Sequence, residues 1–197
     1  MLYNKLISIP GLFIAIIFHE LAHGYIAYKL GDPTAKQAGR LTLNPIAHMD
    51  PIGFISMLIF RFGWAKPVPI NPIYFKRRKL DTILVSVAGP ISNFIMAIIS
   101  GLIISSGIIK NSIILEILVI TLWYNIMLGV FNLLPFPPLD GSKILASLLP
   151  TKYEYMFYKY EKPLHLILII LIISNTIDKM LTPLINMSLN LILRIIG

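Results

Sequence analysis

His19, Glu20 and His23 stand close together inside the apolar run IAIIFHELAHGYIAY, Ile14 to Tyr28. An ionisable side chain near a bilayer centre costs roughly 2.5–3.5 kcal/mol on insertion scales, so three in one such run mark a site with a task. On a helix, positions i and i+4 share a face, which lets both imidazoles aim at one ion with Glu20 beside them. Two neutral imidazoles suit zinc. The carboxylate in the second position of this H-E-x-x-H spacing is placed to take a proton from a water that the metal activates. The bland alternative is a set of polar residues pairing with a neighbouring helix inside a bundle.

A catalytic zinc site needs a third protein ligand and an open position, so a His, Asp or Glu must reach the same depth from elsewhere. His23 lies about 9 Å, six residues at ~1.5 Å each, before Lys29. Asp140 meets the demand: it sits in NLLPFPPLDGSK, just before Lys143. Pro135, Pro137 and Pro138 must open a helix there, because proline lacks an N–H and clashes with the preceding turn. Unwound backbone at membrane depth is tolerated only within protein or beside water, so an aspartate at its end can reach a wet pocket. His48 and Asp50 are the alternatives, while Glu116 belongs to the opposite end of its span and His165 opens a later segment. With no cysteine in the chain, thiolate ligands and disulfides are excluded.

These side chains need a membrane scaffold, and the composition supplies one. The 197 residues are 56% hydrophobic and 13% charged, with a mean hydropathy of +0.79, too apolar for an ordinary soluble domain. The expected fold is an all-α integral membrane protein: a polytopic helix bundle in a single domain over residues 1–197. Spans at about 6–28, 83–109 and 113–139 would form its catalytic core, within residues 6–150. A re-entrant or interfacial piece is expected at Pro51–Phe60, and one or two further membrane segments at about 164–196. The first span resembles a signal peptide in its charged start and apolar centre, but it lacks a small-residue cleavage site and is expected to be retained.

Residues 29–80 carry nine Lys or Arg and 143–162 carry four, whereas Lys110 stands alone between the second and third spans. The positive-inside rule then puts the N-terminus outside and the active site near the cytoplasmic side of the cell membrane. The net charge of +8 is thereby read as membrane topology rather than nucleic-acid binding. The run Lys76–Lys79 reads as an anchor to anionic lipid.

Four stretches together resemble the site-2 protease family of intramembrane zinc metalloproteases: HELAH, AGRLTLNPIAHMDPIG (Ala38–Gly53), AGPISN (Ala88–Asn93) and NLLPFPPLDG. The likeness covers about residues 6–150. It implies one catalytic zinc ion on His19, His23 and Asp140, Glu20 as catalytic residue, and Asn93 positioning substrate or stabilising the oxyanion. No room is found for the peptide-binding insertion or nucleotide-sensing appendage of many relatives. Regulation would then rest with the membrane core or a separate regulatory membrane protein.

The expected activity is hydrolysis of peptide bonds in or beside transmembrane segments of a membrane-protein substrate. Such a substrate must unwind, and its extended backbone needs partners. The alternation Leu41-Thr42-Leu43 has the period of a short strand whose edge could accept that backbone. The rival reading from another class is a non-proteolytic zinc-binding membrane protein, either a metal carrier or an inactive relative. A carrier has no need of Glu20.

Overall fold

The computed structural model describes residues 2–50, 52, 53, 56 and 66–197, with side chains from residue 6 onward. In chain order the helices are α1 (Leu2–Lys29), α2 (Thr34–Gln37), α3 (Pro45–His48), α4 (Arg78–Ser105) and α5 (Ser112–Asn132). They continue with α6 (Asp140–Leu148), α7 (Thr151–Lys159), α8 (Glu161–Ile173) and α9 (Thr176–Ile196). Among the described residues, four stretches are long and apolar enough to cross a bilayer: Leu6–Lys29, Arg78–Ser105, Ser112–Asn132 and Thr176–Ile196. The protein is an all-α polytopic membrane protein, with α1, α4 and α5 packed on one another and α9 against α4 and α5.

The faces of α4 show how a span sorts its residues when both sides are apolar. Val85, Gly89, Asn93, Ala97 and Gly101 recur every four residues and are buried. Ile91, Ile95 and Ile99 recur likewise on another face and stay 50%, 50% and 42% exposed. Hydrophobicity cannot choose between lipid and protein here, so small and polar residues define the inner face, where backbones approach closely. On α5 the buried set is Thr121, Leu122, Asn125, Ile126, Gly129 and Val130. Ala97, Leu122, Ile126 and Val130 join Ile177, Leu181 and Ile192 of α9 in one apolar cluster.

Local chemistry sets boundaries that hydropathy misses. The second span starts at Arg78 rather than 83, because Asp81 Oδ2 accepts the Arg77 N–H at 2.9 Å and caps the helix a turn earlier. Lys79 pairs with the buried Glu154 of α7 at 3.1 Å, as does Arg78, so these two residues of the Lys76–Lys79 run tie α4 to α7. The third span opens where Asn111 Oδ1 accepts the N–H groups of Ile113 and Ile114 at 3.0 and 3.2 Å. It ends at Asn132 rather than 139, and residues 133–139 are turns and bends. The prolines expected to unwind this stretch stand in it. In the C-terminal region, Asn175 adopts a left-handed conformation at φ 56°, a geometry asparagine tolerates, and separates the 13-residue α8 from the 21-residue α9.

The strand expected at Leu41–Leu43 does not form. Leu41 and Thr42 are bends. Local side chains win the competition for this backbone: Thr42 Oγ1 accepts the Asn44 N–H at 3.2 Å, and Asn44 Oδ1 caps α3 through the Ile46 N–H. Bridge pairing occurs at Met49 instead, beside a His48 carbonyl that accepts the Lys66 N–H at 3.0 Å. The piece expected at Pro51–Phe60 lies largely outside the described residues.

The inner face of α4 yields a direct test. Ala97 is fully buried, so Ala97→Phe should lower thermal stability in detergent by about 1–3 kcal/mol, whereas Ile95→Phe on the exposed stripe should leave the melting curve in place.

Candidate metal centre

Three elements bring the centre together. His19 and His23 project from α1, Asp140 from the first turn of α6, and α4 closes the site from the side. His19 Nε2 lies 3.0 Å from His23 Nε2. Asp140 Oδ2 lies 3.1 Å from the first and 3.0 Å from the second. All three residues are 4–5% exposed. Among the described residues, this is the one group of His, Asp and Glu whose ligand atoms converge as a metal would require.

The protons on the two rings follow from their far sides. His23 Nδ1 faces the Val85 carbonyl at 2.7 Å and must donate to it. His19 Nδ1 faces Asn93 Oδ1 at 2.7 Å. In the neutral forms, both Nε2 atoms therefore carry lone pairs, and so does Asp140 Oδ2. Three acceptors meeting at about 3 Å in a dry interior repel one another unless a cation stands among them. Two imidazole nitrogens and one carboxylate oxygen form a donor set that fits zinc, with a fourth tetrahedral position left over.

Backbone features make room for this convergence. A Cβ on Gly89 would overlap His23 Nε2 and lie 2.6 Å from His19 Cε1, so only glycine lets α4 pass the two imidazoles. Gly141 allows α6 to start against the unwound stretch, since a Cβ there would overlap the Leu133 carbonyl oxygen. Burial opposes ionisation of Asp140. Lys143, whose Nζ lies 3.2 Å from Oδ1, sets its positive charge against that penalty and favours the carboxylate.

Glu20 is half-buried next to the centre, and its Oε2 accepts the Val68 N–H at 2.7 Å. That N–H belongs to Lys66-Pro67-Val68-Pro69-Ile70-Asn71, part of the proline-rich connection, whose role the sequence leaves open. The segment is pinned on both sides: Lys66 N–H to the His48 carbonyl, and Asn71 N–H to Asp32 Oδ2 at 2.6 Å.

The remaining residues singled out from sequence fall elsewhere. Asn93 is fully buried, and its NH₂ donates to the Ala15 carbonyl at 3.0 Å and to Asn125 Oδ1 at 2.9 Å, so no N–H is left over for a substrate oxygen. His48 donates from Nε2 to the Thr42 carbonyl at 2.7 Å, and Asp50 caps the Gly53 N–H at 2.8 Å. Neither joins the centre. Leu41 lines an apolar groove of about 610 Å³ with Phe18, Tyr25 and Ser92, while Leu43 is 56% exposed. Sequence reasoning passed over Gly89, Val68 and Asn125. The four-residue spacing of Gly89 and Asn93 was a readable sign of a shared face, and so was Asn125, an amide amid the apolar residues of α5.

A buried His–His–Asp group that could hold a metal, carried by a polytopic helix bundle, is the class of site and fold that results. The chain belongs to peptidase family M50. The model of that family matches residues 102–174, the stretch that holds Asn125 and Asp140. The chain is 39% identical to "Putative zinc metalloprotease YwhC" of Bacillus subtilis over 98% of its own length and 94% of that protein. It is 31% identical to "Zinc metalloprotease MJ0392" of Methanocaldococcus jannaschii over 74% of this chain and 35% of that one. Identity to "Putative zinc metalloprotease Rip2" of Mycolicibacterium smegmatis is 24% over 88% of this chain and 69% of that one. No solved structure matches.

Gly89→Ala adds a single methyl where two ligands pass. Purified Gly89→Ala protein should retain far less zinc than the parent by elemental analysis, as should Asp140→Ala, because a three-ligand site that loses one ligand or its spacing loses its geometry. Parent-like zinc in Asp140→Ala would remove Asp140 from the ligand set.

Proposed function

We propose that the chain is a zinc metalloprotease that hydrolyses peptide bonds within or next to transmembrane segments of membrane proteins. One observation carries the reading: three lone pairs, from His19, His23 and Asp140, converge inside a bundle of membrane-length helices, with the carboxylate of Glu20 beside them. Family membership and the names of the relatives support the metal and the reaction class. The placement of the ligands on and between the spans supports a substrate met inside the membrane.

A single zinc ion held there would supply Lewis acidity, lowering the pKa of a coordinated water from about 15.7 to about 7 and polarising the scissile carbonyl. The chain's own residues do the rest. Glu20, its Oε2 held by the Val68 N–H, takes a proton from the attacking water on Oε1 and passes it to the departing amine nitrogen, serving as base and then as acid. Asp140, ionised beside Lys143, remains an acceptor throughout and leaves the proton transfers to Glu20. The bundle keeps bulk water from the ligands, which are 4–5% exposed.

The substrate is a transmembrane protein that unwinds locally before its carbonyl can be reached. The lysine and arginine distribution orients the protein in the cell membrane with its N-terminus outside and the centre near the cytoplasmic face. Labels near Lys110 should then be accessible in intact cells and labels near Arg77 and Lys159 protected. Accessibility of Arg77 from outside would reverse the orientation.

Glu20→Gln separates a protease from a carrier, since it keeps the shape and all three ligands but cannot accept a proton. Zinc content should stay at the parent level while cleavage of a membrane-spanning substrate, assayed in detergent on the same sample, falls by at least about 10²–10⁴-fold. Retained cleavage would remove Glu20 as the base. A parent that cuts none of its native membrane proteins would favour the carrier.

A further inference from the structure

Asn125 has no place in the proposed chemistry, yet it is fully buried in the middle of α5. Its hydrogen bonds form a one-way chain. The NH₂ of Asn125 donates to the Thr121 carbonyl at 2.8 Å, a group that can only accept. Oδ1 of Asn125 is thereby turned toward Asn93, whose NH₂ donates to it at 2.9 Å and to the Ala15 carbonyl at 3.0 Å. Asn93 Oδ1 is in turn fixed toward His19 Nδ1 at 2.7 Å. Every donor in the series points away from the metal centre.

We propose that Asn125 is a positioning residue that sets the tautomer of His19, by fixing which end of the Asn93 amide faces the imidazole. An inverted Asn93 amide would present N–H to Nδ1. The ring proton would then move to Nε2 and block the lone pair that a metal needs. In the observed arrangement that inversion is prevented twice, because Asn93 Oδ1 would be turned against two other oxygens, the Ala15 carbonyl and Asn125 Oδ1, where both asparagines are fully buried. His23 needs no such device, since the Val85 carbonyl settles its tautomer unaided. The two imidazoles are thus held differently: one by backbone, the other by a side-chain relay reaching back to α5. Outer hydrogen bonds of this kind orient metal-ligating histidines generally. Here they also give Asn93 a task other than holding substrate. The inference rests on the metalloprotease reading only for naming the metal as zinc.

The test compares parent, Asn125→Leu, Asn93→Asp and Asn93→Asp/Asn125→Leu, each purified whole in detergent. Histidine labelled with ¹⁵N reports the tautomer in metal-free protein, the His19 signal being the one lost in His19→Gln. The parent should show the Nδ1–H form and Asn125→Leu a shift toward Nε2–H. Competition against a chelator should give Asn125→Leu about 10–100-fold weaker zinc binding. Asn93→Asp can keep these contacts without Asn125, since a protonated carboxyl donates its O–H to the Ala15 carbonyl, which can only accept, and leaves its other oxygen to His19 Nδ1; in the double variant it should restore both the tautomer and most of the affinity. Asn125→Leu with the parent tautomer and zinc affinity within about twofold would overturn the proposal, given the size expected of such contacts. So would a loss that Asn93→Asp does not repair, which would make Asn125 a packing residue. Neither readout needs turnover, so a parent that binds zinc but cuts nothing counts against the protease reading and leaves the relay to be judged on its own signals.

Discussion

Three lone pairs brought to within about 3 Å of one another, on residues only 4–5% exposed, are the constraint on which the rest of this structure depends. A soluble protein could relax such a cluster by letting a side chain swing into solvent. A membrane bundle offers no such exit, because the alternative surroundings are lipid. The groups behind the two imidazoles are fixed in their turn: Asn93 donates to Ala15 and Asn125, and Val85 belongs to the backbone of α4. At the centre itself the three acceptors face each other, and a cation is the one partner that satisfies all of them together.

That constraint explains the choice of residues on the packing faces. Lipid tails are as apolar as leucine, so burying leucine does little to draw spans together. Close backbone approach and hydrogen bonds across helices take over. Gly89 serves both ends, letting α4 lie against α1 and leaving space for two imidazoles in the same contact. The unwound stretch before Asp140 obeys a similar logic, since prolines open the chain and Gly141 lets it fold back on Leu133. Each motif combines a packing device with a chemical one.

Much of this was legible in the sequence, for a physical reason: ionisable residues in apolar runs are costly enough to stand out, so His19, Glu20, His23 and Asp140 could be singled out and Asp140 placed at their depth. The spans were legible from length and hydropathy, while their ends were not. Asp81, Asn111 and Pro135 move the boundaries of α4 and α5 by several residues through single hydrogen bonds, or through their absence, and a hydropathy average over some twenty residues blurs such events. Leu41-Thr42-Leu43 misled because a three-residue alternation carries too little pattern to outweigh the side-chain caps at Thr42 and Asn44. Asn93 was singled out, but its partners within the bundle were not readable. Its partners lie 74, 78 and 32 positions away, and no local spacing reports those contacts.

The ligands and Glu20 are supported by different kinds of structure. His19 and His23 are held from α4 and α5, spans whose inner faces interlock, and Asp140 by the turn that follows α5. Glu20 is held by Val68, in an extended segment whose alternate prolines fix φ and remove N–H groups that would otherwise need partners. That segment is fastened by Lys66 to His48 and by Asn71 to Asp32, both in the connection after α1. In the proposed reaction the metal position is thus a property of the bundle, and the aim of the carboxylate a property of the loops that cover it. A substrate segment that unwinds to reach the centre must come close to the element that aims Glu20.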